Sequence, residues 1–246
     1  MGFSIGLLDA DIYGPSIPIM FGVENAIPRS IKVNGEEKIK PFLIYGINVL
    51  SIGFFTCSNH AVVWRGPLAT KALRELIRNA HWSHLDFLIV DLPPGTGDIH
   101  ISLVQEIPLT AAVIVSTPQK IALYDVRKTA AMFRLESINV PILGIIENMA
   151  YFSLSVESKM KYLIFGNGQI RKFSNELQIP FLGKIPFIKK ICDSSDIGKP
   201  VTVQKNKFVI EVFDKITKKL IQEIIYRNKN MPTTEAIRIT TMAGCS

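Results

Sequence analysis

The sequence predicts an α/β fold: a mainly parallel sheet with flanking helices. Three observations predict it. Six short apolar runs punctuate the chain, amphipathic stretches of helical spacing lie between them, and the runs are continuously apolar instead of alternating. Continuous runs suit strands buried on both faces, and strands separated by helical patterns suit the crossover connections of a parallel sheet.

Each element has its own justification. The apolar runs cover residues 5–8, 47–52, 87–90, 111–115, 142–146 and, more weakly, 181–185. Each is too short for a helix and is bounded by Gly, Pro or Asp, which makes it a strand. Residues 67–80 open on Pro67, suited to the first helical position, and carry Leu73, Leu76 and Ile77 on one side. Residues 123–135 and 168–177 are two further helices. The longest, 208–227, repeats Val209, Val212, Phe213, Ile216, Leu220 and Ile224 at helical spacing, with Lys215, Lys218 and Lys219 on its polar side. Residues 28–40 surround Asn34-Gly35 and predict a hairpin or surface turn. Residues 1–228 are expected to form a single domain, with 229–246 as a flexible tail that has no clear period.

Composition bounds the function. Of 246 residues, 48% are hydrophobic and 20% charged, enough apolar material to exclude a disordered chain. The net charge of +7 fits attraction to phosphates, nucleic acid or acidic partners and selects none of them. Three scattered cysteines, Cys57, Cys192 and Cys245, make no disulfide framework and point to reduced thiols in a cytoplasmic protein. No apolar run reaches the roughly 18 residues of a membrane span, and no basic residue precedes the N-terminal apolar stretch as in a signal peptide. His60, His81, His84 and His100 show no metal-ligand spacing.

The chemistry lies at strand ends, where open α/β sheets bind ligands. The first strand delivers Asp9-Ala10-Asp11-Ile12-Tyr13-Gly14-Pro15-Ser16, and the third delivers Asp91-Leu92-Pro93-Pro94-Gly95-Thr96-Gly97-Asp98. A carboxylate entering a Gly-rich turn suits a Mg²⁺–phosphate site. Mg²⁺ takes hard oxygen ligands and keeps waters that carboxylates hold, while glycines let backbone N–H groups approach a phosphate. One such Asp alone is more often a turn former or helix cap; two long motifs in this order are not.

GLLDADIYGPSIP (6–18), VVWRGP (62–67), LIVDLPPGTGD (88–98), STPQ (116–119), DVRK (125–128) and GIIENMAYF (144–152) follow one another. In this order they resemble the Mrp/ApbC family of P-loop ATPases, which act as iron–sulfur cluster carriers. The resemblance runs from about Gly6 to about Val201. It implies a P-loop NTPase-like fold of the deviant Walker A, MinD/ParA-like kind. It also implies site residues: Asp9 and Asp11 in the first switch, orienting Mg²⁺ and the attacking water, and Asp91 as the Walker B carboxylate reaching Mg²⁺ through water. Gly95 and Thr96 fall in the second switch, Asn148 contacts the adenine ring, and Pro186 closes the far wall of the base pocket within FLGKIP (181–186). The implied cofactors are ATP, Mg²⁺ and a [4Fe–4S] cluster held between the subunits of a homodimer. The implied partners are iron–sulfur apoproteins and an assembly scaffold, with neither nucleic acid nor membrane.

Two departures from the pattern matter. No Gly-x-x-x-x-Gly-Lys-Ser/Thr, and no deviant Lys-Gly-Gly form before Asp9, occurs in the chain. The family's first strand–P-loop–helix unit is therefore expected to be lacking. Its strand lies between those at 87–90 and 111–115, which are accordingly expected not to pair and to present apolar edges. Second, Leu154 and Glu157 stand where the family's Cys-x-x-Cys pair falls, so the chain is expected to bring no cluster ligands of its own. Two readings follow: an Mrp-type carrier ATPase without its P-loop unit, or a non-enzymatic scaffold or degraded family member that keeps the dimer and partner surface only. A partitioning or septum-placement ATPase is a third, opposed by the Tyr-Gly-Pro-Ser extension after the first switch.

Overall fold

The computed structural model describes residues 1–55, 66–153 and 160–236. The chain divides into two compact units. The first holds Met1–Glu106 and Asp193–Gln204; the second holds Ile107–Cys192 and the chain from Lys205 onward.

In the first unit, β1 (Ile5–Asp9) is flanked by β5 (Ile47–Ser51) on one side and β6 (Phe87–Asp91) on the other, both parallel to it. The short β4 (Phe42–Ile44) adds antiparallel to β5, giving the order β4-β5-β1-β6. A separate hairpin joins β2 (Arg29–Val33) to β3 (Glu36–Lys40). Asn34 and Gly35 make its turn with φ of 50° and 86°, the left-handed pair that an Asn-Gly turn supplies. The four-residue α1 (Ile17–Met20) follows the first acidic loop, and a 3-10 turn at Ile52–Phe55 follows β5. Helices α2 (Gly66–Asn79) and α3 (Asp98–Glu106) pack on each other. Leu73 and Leu76 of α2 and Ile99, Leu103 and Val104 of α3 are buried. At the far end of α3, Glu106 takes two hydrogen bonds from Arg78, at 2.9 and 3.2 Å, and an ion pair with Arg74 at 3.0 Å.

In the second unit, β7 (Ala112–Ser116), β8 (Ile142–Glu147) and β9 (Phe181–Lys184) form a parallel sheet in that order. Ile114, Ile145 and Phe181 face α4 (Lys120–Phe133) and α5 (Gln169–Glu176), packing with Ala130, Ile170 and Phe173. On the other face, Ile146 and Leu182 pack with Ile216 of α7 (Lys207–Asn230). This helix starts where the Asn206 side chain caps the Val209 N–H at 3.1 Å, and it runs through Lys229 and Asn230, beyond the expected start of the tail. The remaining helix, α6 (Lys189–Asp196), was not evident from periodicity: of its residues only Ser194 is buried.

The expectation that every strand is buried on both faces holds for β1, β5 and β8 but not for β6 and β7. Leu88 and Ile89 of β6 are 37% and 53% exposed, and Val113 and Val115 of β7 are 37% and 56% exposed. The cause is topological. Among the described residues β6 pairs only with β1 and β7 only with β8, so each is the outer strand of its own sheet, as expected for the two strands that flank the family's first strand.

Close packing inside the second unit makes a test. A Cβ on Gly144 of β8 would lie 2.5 Å from Leu182 Cγ and 2.8 Å from the Pro180 carbonyl oxygen. The backbone oxygen cannot give way as a flexible side chain does. Gly144→Ala is expected to lower stability by ~1–3 kcal/mol in urea denaturation; an unchanged midpoint would contradict this packing.

Candidate nucleotide and metal site

The parallel register of the first sheet sets three polar residues in a row at its carboxyl end. Asp9 of β1 stands opposite Ser51 of β5 on one side and Asp91 of β6 on the other. Asp9 is fully buried. Its Oδ2 accepts from Ser51 Oγ at 2.8 Å and from the Ile17 N–H at 3.3 Å, and its Oδ1 accepts from the Asp11 N–H at 3.1 Å. Burial raises its pKa above the ordinary carboxylate value, and these three hydrogen bonds pull it back down. Ser51 is itself tied, its oxygen accepting the Gly53 N–H at 2.9 Å. Asp9 thus anchors both the loop after β1 and the start of α1.

Asp11 sits on the loop so anchored. Its Oδ1 accepts from the N–H groups of Tyr13 and Gly14, each at 3.2 Å, which closes the turn of Asp-Ile-Tyr-Gly. The loop's own apolar residues, Ala10 and Ile12, are buried beneath it. Asp91 joins through its backbone, whose carbonyl accepts the Ala10 N–H at 2.9 Å. Among the described residues no protein donor is seen on its carboxylate. Its pKa is raised by desolvation first and by the negative charge of Asp11 second. A carboxylate raised by burial and by a second carboxylate nearby is a place for a cation.

After Asp91 the chain turns through Pro93, which is buried, and then Pro94, Gly95, Thr96 and Gly97, which are exposed. Gly95 has φ 95°, a conformation open to glycine and costly for other residues, and a Cβ on either glycine would meet nothing within 4 Å. A ligand can therefore approach this backbone closely. Sequence periodicity missed α3, which begins at Asp98. Its signal was the spacing of Ile99, Leu103 and Val104 directly after the Gly-rich turn.

The second unit has its own polar row. Across the ladder, Glu147 of β8 lies opposite Ser116 of β7 and Lys184 of β9. Glu147 is fully buried, and Lys184 Nζ lies 3.5 Å from its Oε2. Asn148 follows, its N–H bonded to the Ser116 carbonyl at 2.8 Å and its Oδ1 accepting the Met149 N–H at 3.0 Å. Pro186 is buried just after β9. Ser51 and Glu147 were not singled out from the sequence; each is a polar residue closing an apolar strand, the same signal that marked Asp9 and Asp91.

Both carboxylates that face the loops, Asp11 and Asp91, suit Mg²⁺ that retains part of its water shell. Among the described residues no group of three or more His, Cys, Asp or Glu closes on a single point, as an all-protein metal cage requires. Cys192 is exposed on α6. Cys57, Cys245, Leu154, Glu157, His60, Trp64 and Arg65 lie outside the described residues.

A mainly parallel α/β architecture with acidic, Gly-rich loops at its strand ends is that of a P-loop NTPase of the MinD/ParA kind. The septum site-determining protein MinD complexed with Mg-ADP from Pyrococcus horikoshii shares the fold, at TM-score 0.59 and 19% identity over 93% of this chain and 87% of its own. A nucleotide-binding protein from Archaeoglobus fulgidus, solved in complex with ADP, matches at TM-score 0.68 and 33% identity over 84% and 77%. The family model described as ParA, NUBPL iron-transfer P-loop NTPase, matches residues 1–221, and the chain belongs to that family. An iron-sulfur cluster carrier protein of Aquifex aeolicus is 44% identical over 91% of this chain and 60% of its own length. The iron-sulfur cluster transfer protein NUBPL of Dictyostelium discoideum is 41% identical over 97% and 73%. The chain spans about 60% of the length of the bacterial carrier proteins it matches.

The raised pKa of Asp91 has a sign that can be tested. A carboxyl whose folded-state pKa lies above its unfolded value stabilises the fold fully only below the unfolded value, and that contribution is lost as pH rises through the folded value. At neutral pH, without divalent cation, the Asp91 charge therefore opposes folding. Asp91→Asn is expected to raise the melting temperature at pH 7 by about 1–2 °C, kept small by solvent screening. The gain should shrink as the pH approaches 4. A lower melting temperature at pH 7 would contradict the assignment.

Proposed function

We propose that this chain provides the switch and Walker B portion of an iron–sulfur cluster carrier ATPase of the Mrp/NUBPL type. The observation that carries the proposal is the pair of carboxylates, Asp11 and Asp91, at neighbouring strand ends beside a Gly-rich turn. Family membership and relatives named as iron–sulfur cluster carrier and transfer proteins support the same reading.

In this reading Asp11 and Asp91 hold Mg²⁺ through its waters, and the bound ion offsets phosphate charge. Asp9 positions the first loop through its three hydrogen bonds, which orients Asp11 and with it the attacking water. Gly95 and Thr96 bring backbone N–H groups toward the terminal phosphate. Asn148 and Pro186 recognise the adenine ring. The cluster is cargo, passed to apoproteins by a cytoplasmic homodimer working with an assembly scaffold.

A second reading has its own support. The sequence holds neither a phosphate-cradling Gly-Lys-Ser/Thr loop nor a Cys-x-x-Cys after Tyr151-Phe152. The P-loop lysine and hydroxyl carry much of phosphoryl-transfer chemistry, and thiolates are the usual cluster ligands. In this reading the chain is a non-enzymatic scaffold or degraded family member that keeps the dimer and partner surface only.

Phosphate release from ATP separates the two. The ATPase reading expects Mg²⁺-dependent turnover that falls at least ~100-fold in Asp91→Ala, consistent with loss of an electrostatic group at the reacting phosphate. Turnover absent in the parent, or unchanged in the variant, supports the scaffold. Reconstitution with iron and sulfide reads the cargo step: charge-transfer absorbance on the purified chain is expected of a carrier and not of a scaffold.

A further inference from the structure

We propose that Tyr45, Gly22 and Gly198 form a latch that clamps the strap of residues 193–204 onto the end of α1 and so positions the loop of residues 9–14. The strap is the part of the first unit contributed from beyond Glu106. At the crossing the two backbones meet with no side chain between them. A Cβ on Gly198 would lie 2.3 Å from Gly22 Cα, 2.6 Å from its nitrogen and 3.3 Å from the Ile19 carbonyl oxygen. A Cβ on Gly22 would lie 3.2 Å from the Gly198 carbonyl oxygen. That same oxygen accepts the Tyr45 hydroxyl at 3.1 Å, and the Tyr45 ring lies 6.2 Å from that of Phe21.

A tyrosine at this position is not what its own turn asks for. Tyr45 and Gly46 join β4 to β5 with φ of 50° and 81°. Asn34 and Gly35 join β2 to β3 with φ of 50° and 86°. The two hairpins thus demand the same left-handed backbone of their first turn residue, and that backbone favours Asn over a bulky ring. The first hairpin has Asn there. The second carries Tyr in a conformation that costs it energy, and the tyrosine hydroxyl reaches the strap.

On both sides the latch joins ordered structure. The strap braces itself: the Gly198 N–H donates to the Ser195 carbonyl at 3.0 Å, the Lys199 N–H to the Ser194 carbonyl at 2.9 Å, and Gln204 Nε2 to the Lys199 carbonyl at 2.8 Å. Ser194 and Val201 are buried. Toward the site, α1 is the single turn between the latch and Asp9. The Gly22 N–H donates to the Ile19 carbonyl and the Phe21 N–H to the Ile17 carbonyl, each at 3.0 Å. The Ile17 N–H in turn donates to Asp9 Oδ2, and Asp9 Oδ1 holds the Asp11 N–H. A run of hydrogen bonds therefore leads from the strap to the loop that carries Asp11. Tyr45 is 45% exposed, so its hydroxyl can let go without unpacking the core.

The consequence for cation binding rests on the proposed reading of Asp11 as a ligand; the latch itself does not, and two measurements separate them. Hydrogen exchange is followed in the full chain over residues 193–204 and 10–23. The variants are Tyr45→Phe, which loses only the hydroxyl, and Tyr45→Asn, which gives the turn its favoured residue. Both are expected to exchange about fivefold faster in these two segments, the loss of one hydrogen bond, with residues 47–51 and 142–147 unchanged. Gly198→Ala, which forces the backbones apart, is expected to exceed both in the same segments. Exchange equal to the parent in either segment, or a rise that extends to 47–51 and 142–147, would overturn the latch. Mn²⁺ affinity, read by electron paramagnetic resonance, is expected to fall about threefold in Tyr45→Phe. A variant that binds as tightly as a binding parent would overturn the positioning of the loop. A parent that binds no Mn²⁺ would overturn the cation reading of Asp11, and the exchange rates would then decide the latch alone. Should Gly198→Ala fail to fold, the two Tyr45 variants decide.

Discussion

The buried carboxylate of Asp9 is the constraint on which the first unit's loops depend. A carboxylate removed from water costs several kcal/mol unless its lone pairs are met. Here Ser51 Oγ and two backbone N–H groups meet them. The donors come from three different places: the end of β5, the loop after β1 and the start of α1. Satisfying one buried group therefore fixes the relative position of three segments. Parallel pairing without a bulge between β1 and both neighbours sets Ser51, Asp9 and Asp91 in one row, so the anchor and the exposed acid are delivered by the same ladder. The two carboxylates of that row differ: Asp9 is satisfied and builds the loop, while Asp91 takes no protein donor among the described residues.

The second unit repeats the arrangement with different chemistry. Ser116, Glu147 and Lys184 form the row at its carboxyl end, and Glu147 is again the buried member. Among the described residues Lys184, partly exposed, is its close cation, and neither carboxylate oxygen has a hydrogen bond. The ion pair with Lys184 spans β8 and β9 at the point where Asn148 leaves the sheet. Packing on the two faces of this sheet is apolar and independent, with α4 and α5 on one side and α7 on the other.

Much of this was legible in the residues. The strands were visible because buried parallel strands are continuously apolar, and Asp9 and Asp91 stood out because a charge closing such a run has to be accounted for. The hairpin at Asn34-Gly35 was legible because its left-handed turn selects those residues. What stayed hidden did so for physical reasons. Helix α3 buries His100 and Ser102 as well as its aliphatics, which blurs its period. Helix α1 is a single turn, too short for any period. Strands β6 and β7 read as fully buried from their composition alone, whereas the missing strand of the family pattern marked both as apolar edges, and each is an outer strand with exposed Ile89 and Val115. The distinction between Asp9 as anchor and Asp11 and Asp91 as the proposed cation pair was invisible at the level of sequence, since all three are the same residue type and only the hydrogen bonds separate them.

The central claim is that Asp11 and Asp91 together hold a divalent cation. Electron paramagnetic resonance of Mn²⁺, standing in for Mg²⁺, tests it most directly, by counting bound ion in the parent chain and in Asp91→Asn with ATP present. The account predicts Mn²⁺ bound at one site per chain in the parent and a loss of at least tenfold in affinity in the variant, the scale of one charged ligand. Equal binding in the two proteins, or none in either, would contradict it.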